Sequence, residues 1–169
     1  IGPMIPAALA NPEFSHPDSG DIAIDVNGPE YNIHASDRAI GSFNSFSNVA
    51  GETINSIQAS PSYTALYRVI GTEPSSIFGA LNANSHIFLI NPSGILFGAG
   101  SQVNAPGLVA ATLDLTNSNF LARNYQFEQV LGRAPGYILN QGILTAARGG
   151  YIALLGGAVR NEGTLRADG

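Results

Sequence analysis

The chain reads as all-β, wound into a parallel β-helix of about 21 residues per turn, and three observations predict this. The first is a set of short apolar runs punctuated by turn residues. Residues 87–90 and 95–97 flank Asn91-Pro92-Ser93-Gly94, and such runs are long enough for buried strands and too short for helices. The second is an internal repeat. Gly79-Ala80-Leu81-Asn82-Ala83 returns as Gly142-Ile143-Leu144-Thr145-Ala146 and again as Gly163-Thr164-Leu165-Arg166-Ala167. The last two lie 21 residues apart and the first precedes the second by 63, three times that period. The third is what the period excludes. It is too short for a propeller blade and lacks the helix of helical repeats. A coil of three short strands per turn needs this many residues, with successive turns about 4.8 Å apart.

Composition narrows the function classes. Of 169 residues, 44% are hydrophobic and only 11% charged, so the chain is neither a disordered tail nor a highly charged surface. Lysine is absent and the seven arginines are scattered through a chain of net charge −5, which offers no stripe for nucleic-acid phosphates. No apolar run reaches the roughly 20 residues of a membrane-spanning helix. Cysteine is absent, excluding a disulfide framework and Cys-based metal sites.

In chain order, residues 1–10 are set aside as a signal-peptide remnant or an artificial leader. Ala8-Leu9-Ala10 before Asn11-Pro12 has the small-x-small form of a signal-peptidase site. The chain also stops within its own repeat, so it is expected to be a piece of something longer. One domain is assigned to residues 11–169, with a cap over 11–75 and helix turns over 76–169. Residues 11–20 are polar and proline-rich and read as an irregular lead-in. Residues 21–26 and 31–35 alternate with period two around the turn Asn27-Gly28-Pro29, predicting a hairpin. Residues 38–49 carry Ile40, Phe43, Phe46 and Val49 at every third place, yet their Gly, Ser and Asn content favours short strands. Residues 60–76 are the best helical candidate: a Ser60-Pro61-Ser62 start, a compact apolar run and the stop Gly71 predict one to two turns.

Within the repeat, Asn140 and Asn161 precede their glycines by two residues, the offset of Ile77 before Gly79. Residues 94–98 form a looser copy out of phase, and residues 107–111 echo 150–154. Asn and Gly at these corners point to left-handed bends. Residues 114–136 break the pattern and predict an excursion from the coil, with a short helix and a hairpin. At the corner 91–94, Asn91 can cap its own backbone, Pro92 presets φ and Gly94 can take φ > 0.

Several blocks in order resemble a family. They are Arg38-Ala39-Ile40 with Ser42-Phe43 and Ser45-Phe46-Ser47, then Tyr67-Arg68-Val69-Ile70-Gly71 leading to Ser76-Ile77-Phe78-Gly79. The stretch from Phe88 through Asn91-Pro92-Ser93-Gly94 to Gly98 follows, then Gly107 to Asp114 and Gly150 to Gly156. Over residues 30–169 the sequence is similar to the N-terminal secretion domain of two-partner-secretion exoproteins of the filamentous-haemagglutinin type. Ser93 stands where that family usually has Asn, and a serine can make the same side-chain-to-backbone turn bond. The resemblance implies a right-handed parallel β-helix with an N-terminal β cap, secreted or surface-held by a Gram-negative bacterium after passage through the periplasm. It implies a dedicated outer-membrane β-barrel transporter whose POTRA domains recognise the chain largely unfolded. It also implies a monomer that is not membrane-embedded, a large exoprotein with adhesin or haemagglutinin character, and host-cell receptors engaged by other parts of it. The residues it singles out are the corner Asn91, Pro92, Ser93 and Gly94, and the family-matching Arg38, Phe43, Phe46, Arg68, Gly79, Gly98, Gly107, Asn140, Gly142, Asn161 and Gly163.

Two other classes compete. β-Helices also host polysaccharide-active enzymes, whose sites need clustered carboxylates or a calcium shell with a basic residue. Asp114, Glu128, Glu162 and Asp168 are dispersed, Ser45 and Ser93 lack a Ser–His–Asp context, and Asp18, Asp21 and Asp25 near His16 fit no metal loop. No catalytic set, metal site or cofactor is expected. A directly binding adhesin module is the other alternative, and a regular threonine ladder is missing. Arg68 is read as bonding backbone carbonyls, with an acidic partner as its alternative.

Overall fold

The computed structural model describes residues 11–168; the leader assigned to residues 1–10 lies outside them. The chain climbs a three-faced parallel coil of about six turns. One face stacks β4 (Ala39–Ser45), β6 (Thr64–Val69), β9 (His86–Ile90) and the second halves of β11 (Gln102–Ala111) and β13 (Ile143–Leu155). A second stacks β7 (Ser75–Ile77), β10 (Ile95–Phe97), β12 (Tyr137–Asn140) and β14 (Ala158–Asn161). The third stacks β3 (Glu30–Ala35), β5 (Thr53–Ile57), β8 (Ala80–Ala83), the first halves of β11 and β13, and β15 (Thr164–Ala167). At the N-terminal end β1 (Glu13–Ser19) and β2 (Ile22–Asn27) pair antiparallel with β4 and β3.

Register follows from which side chains must be dry. On the third face Tyr31, Ile54, Leu81, Val103, Leu144 and Leu165 stack in one column, and the first five are buried. A one-residue slip would turn every member outward, so the register is tightly held. Ala39, Ala65, Ile87, Leu108 and Ile152 form the matching inward column of the first face. The N-terminal end of the core is aromatic. Phe43 sits edge-on to Phe14, Phe46 and Tyr67 at 5.3, 5.2 and 5.5 Å, arrangements in which the ring edge meets the neighbour's electron-rich face.

Five expectations change. Residues 11–20 are not an irregular lead-in: β1 is a strand, held by Phe14 against Phe43 and by Ser42 donating to Asp18 at 2.5 Å. Pro17 is tolerated because β1 is an edge strand with three register shifts. Residues 60–76 form no helix. Their apolar run is β6, buried inside at Tyr67 and outside at Leu66. A strand covered on both faces loses its alternation, which is why it mimicked a helical run. Parallel stacking also reaches back to Glu30 and Ala39, so the coil begins well before residue 76 and the cap shrinks to β1 and β2.

The other two changes concern the repeat. The 63 residues from Gly79 to Gly142 are two turns rather than three. Leu81 stacks on Val103 after 22 residues, and Val103 on Leu144 after 41, the excess being the excursion. The intermediate copy, Ser101-Gln102-Val103-Asn104-Ala105, has serine in place of the glycine that marks the others. The echo between residues 107–111 and 150–154 is one residue out, since Gly107 faces Tyr151. The corner between the two halves of β13, where residues 147–150 stand against Pro106 alone, supplies the offset. The adjacency that the 21-residue spacing requires is present: Ile143 through Ala146 lie directly against Thr164 through Ala167.

Candidate functional site

The corner at residues 91–94 closes as its residue types predict. Asn91 is fully buried and its Oδ1 accepts the Ser93 backbone N–H at 3.0 Å, an Asx turn. Its Nδ2 donates to the Glu73 carbonyl and to Ser75 Oγ, both at 3.0 Å, tying this turn of the coil to the one beneath. Gly94 has φ of 129°, which a side chain would resist. Ser93 Oγ donates to the Thr72 carbonyl at 2.8 Å, so the residue that departs from the family's Asn still bonds backbone. The polar side chains of the corner are therefore committed to bonds within the fold. Its chemistry is that of a fastener.

The Asn–Gly pairs form a second set of fasteners. Asn140 Oδ1 accepts the Gly142 N–H at 3.0 Å, and Asn161 Oδ1 the Gly163 N–H at 3.2 Å. Asn140 Nδ2 reaches Asn161 Oδ1 at 2.9 Å, linking the two turns. These glycines do not serve left-handed bends, contrary to expectation; neither has a positive φ. They serve close approach instead. A Cβ on Gly142 would stand 2.0 Å from Ser101 Oγ and 2.6 Å from the Ser101 carbonyl oxygen.

A third arrangement joins Arg38 and Arg68 to the excursion. After β11 the chain leaves the coil, forms α1 (Asn117–Leu121) and returns at β12. The expected helix is present; of the expected hairpin only the single Asp114–Glu128 bridge appears. The excursion covers an apolar stripe on the outside of the first face: Ile40, Leu66, Phe88, Val109 and Ala153, one from each stacked strand. Phe120 lies edge-on to Phe88 at 5.5 Å. Arg68 reaches out from β6 with three donors. Nε bonds Asp114 at 3.1 Å, Nη1 Asn117 Oδ1 at 2.7 Å and Nη2 the Leu115 carbonyl at 2.5 Å. Arg38, at φ 59°, lays its guanidinium 4.0 Å over the Phe120 ring and donates to Tyr125 Oη at 2.8 Å. The returning chain then crosses the corner, where Arg133 donates to Ser93 Oγ and the Gly136 N–H bonds the Pro92 carbonyl at 3.1 Å. Corner and clamps are one connected device.

Comparison with known proteins places this device. The family model described as the TPS secretion domain matches residues 10–169. The chain belongs to that family. Its TPS domain is 32% identical to the HMW1 secretion domain from Haemophilus influenzae, whose crystal structure superposes with a TM-score of 0.86 over 92% of this chain and 45% of that one. Two heme/hemopexin-binding proteins of Haemophilus influenzae, one from strain KW20 / Rd, are 35% and 33% identical over 92 and 111 residues. Those matches take in 54% and 61% of this chain and only 10% and 12% of the relatives, so the chain spans about a tenth of their length. The TPS domain is a secretion-targeting unit of an exoprotein exported across the Gram-negative outer membrane.

The remaining singled-out residues of the TPS domain serve packing. Phe43 and Phe46 are core aromatics, Gly98 lies beneath the Phe78 ring and Gly107 between His86 and Tyr151. Gly79 is a corner whose amide is held by Asn48, a residue sequence reasoning missed. Asn48 Oδ1 accepts from Phe78 and Gly79 at 3.1 and 2.9 Å, and its Nδ2 donates to the Ala80 carbonyl at 2.9 Å. Asn48 heads the column that continues through Ile77, Phe97, Asn140 and Asn161. A lone Asn between Phe46 and Val49 was the available signal. Burial pushes the Tyr67 hydroxyl well above its ordinary pKa, opposed by a 2.5 Å hydrogen bond with Ser56 Oγ. His16 and His34 pair with Asp18 and Asp25 at 3.4 and 3.5 Å on separate strands, so the acidic lead-in residues do not converge.

Proposed function

We propose that this TPS domain carries its exoprotein out by two-partner secretion. In the periplasm it is bound, largely unfolded, by the POTRA domains of a dedicated outer-membrane β-barrel transporter. At the cell surface it nucleates the coil, acting without catalysis, cofactor or metal. The observation that carries this reading is directional stacking. From β4 onward each strand of the first face lies parallel on the one laid down a turn earlier, down to β13. Such an array grows by nearest-neighbour addition. Each new turn buries apolar area at ~25 cal/mol per Å², which opposes backsliding through a pore without any nucleotide. The corner at Asn91 fastens one turn to the next, and the arginine clamps hold the excursion over the stacked strands.

The mature product is read as secreted or cell-surface, monomeric and not membrane-embedded. The full-length exoprotein is read as an adhesin or haemagglutinin whose host contacts lie outside this domain. The heme/hemopexin-binding relatives favour a second activity for the whole protein, capture of heme or a heme carrier. Export of the domain fused to a reporter, with and without the transporter gene, tests the proposal. Reporter should reach the medium only with the transporter, and equal release in its absence would refute the reading.

A further inference from the structure

The capping strands differ in how their free edges are defended. Both end the order of the large sheet. The edge of β1 is broken by Pro17 and three register shifts, the usual protection against stray pairing. The edge of β2 has no proline, no bulge and an unbroken six-pair register from Ile22–Ala35 to Asn27–Glu30. Gly28 at φ 55° followed by Pro29 makes a two-residue turn, so Asn27 and Glu30 close the hairpin as a hydrogen-bonded pair. The N–H and C=O groups of Ile22, Ile24 and Val26 then point away from β3, and no strand among the described residues takes them. Val26 is 56% exposed.

Charge says what this edge accepts. Six of the twelve carboxylates, Glu13, Asp18, Asp21, Asp25, Glu30 and Asp37, precede Arg38, the first Arg or Lys in the chain. The stretch before Arg38 thus carries −6 and everything from Arg38 onward +1. A second copy of the domain pairing antiparallel about Ala23 would set Asp21 of each copy against Asp25 of the other, and like charges across a strand pair repel. We propose that the β2 edge is a docking strand for a basic β-strand of the transporter's periplasmic region, which extends the cap sheet by one strand. This rests on the transporter reading above and names the surface it uses. The β2–β3 hairpin is also the strand pairing with the shortest loop in the fold, so it can form while the rest of the chain is unfolded. Two strands alone are marginal, and a third from the partner would stabilise them.

Titration calorimetry of the folded domain with the purified periplasmic region of its transporter, paired with amide exchange, tests the proposal. Val26→Pro removes an outward N–H that edge strands can spare. Asp25→Arg reverses the charge beside it. Each should weaken binding about tenfold or more while keeping the thermal transition, and the control Glu73→Arg should stay within about twofold. The amides of Ile22, Ile24 and Val26 should exchange more slowly in the complex. If Val26→Pro fails to fold, Asp25→Arg and the exchange data decide. Binding that leaves those three amides unprotected overturns the edge and spares the transporter reading. No binding by the folded domain also overturns the edge, and transporter-dependent export then judges the wider reading by itself.

Discussion

Replacing Asn91 with alanine isolates what the corner contributes. The side chain makes three hydrogen bonds at 3.0 Å, one within its own turn and two to the turn beneath, and is wholly buried. Truncation removes all three and leaves Ser75 Oγ, itself fully buried, without that partner. Net hydrogen bonds contribute about 1 kcal/mol each and an orphaned buried group costs about 1–3. The Glu73 carbonyl and Ser93 N–H lie near solvent and recover part of their loss. The expected destabilisation is therefore about 3 kcal/mol. With a urea m-value of about 2 kcal/mol per M, the midpoint should fall by about 1.5 M at unchanged m. Asn91→Asp keeps the Oδ1 acceptor but buries a charge, so it should do no better than alanine at neutral pH. Secretion should fall in step with stability while synthesis is unchanged. A midpoint within about 0.3 M of wild type would refute the idea that this side chain fastens one turn to the next.

Further outcomes follow from the other contacts. Gly142→Ala places a methyl 2.0 Å from Ser101 Oγ and should cost at least 2–3 kcal/mol by roughly the overpacking scale, seen as a lowered thermal midpoint. Arg68→Ala should release the excursion without unfolding the coil. Trypsin cleavage after the exposed Arg123 would then quicken about tenfold or more, with Arg68→Lys intermediate because it lacks the planar fork. Tyr67 has a pKa raised in the folded state, so its contribution is complete below the unfolded value near 10 and declines above it. Stability should fall by about 1.4 kcal/mol per pH unit above pH 10 from this group, and Tyr67→Phe should remove that slope in an alkaline unfolding series.

Composition and local pattern by themselves determined the architecture and the corner. A strand-length apolar run, a tight turn and a second run can do little else than bend a buried chain from one face to the next, and Asn91 and Gly94 occupy the places their chemistry requires. The adjacency of the Gly142 and Gly163 segments was legible because identical spacing returns equivalent residues to one face. Strand β6 was not legible, since burial on both faces erases the alternation that marks a strand. Nor was the role of Arg68, whose partners lie 46 to 49 residues away, or of Arg38, whose partner Tyr125 lies 87 away. Only the stacked coil brings those positions together, because an inserted loop shifts sequence distance without altering which turn lies on which. The unguarded β2 edge belongs to the same category: a strand is an edge only by virtue of which neighbours the finished sheet supplies.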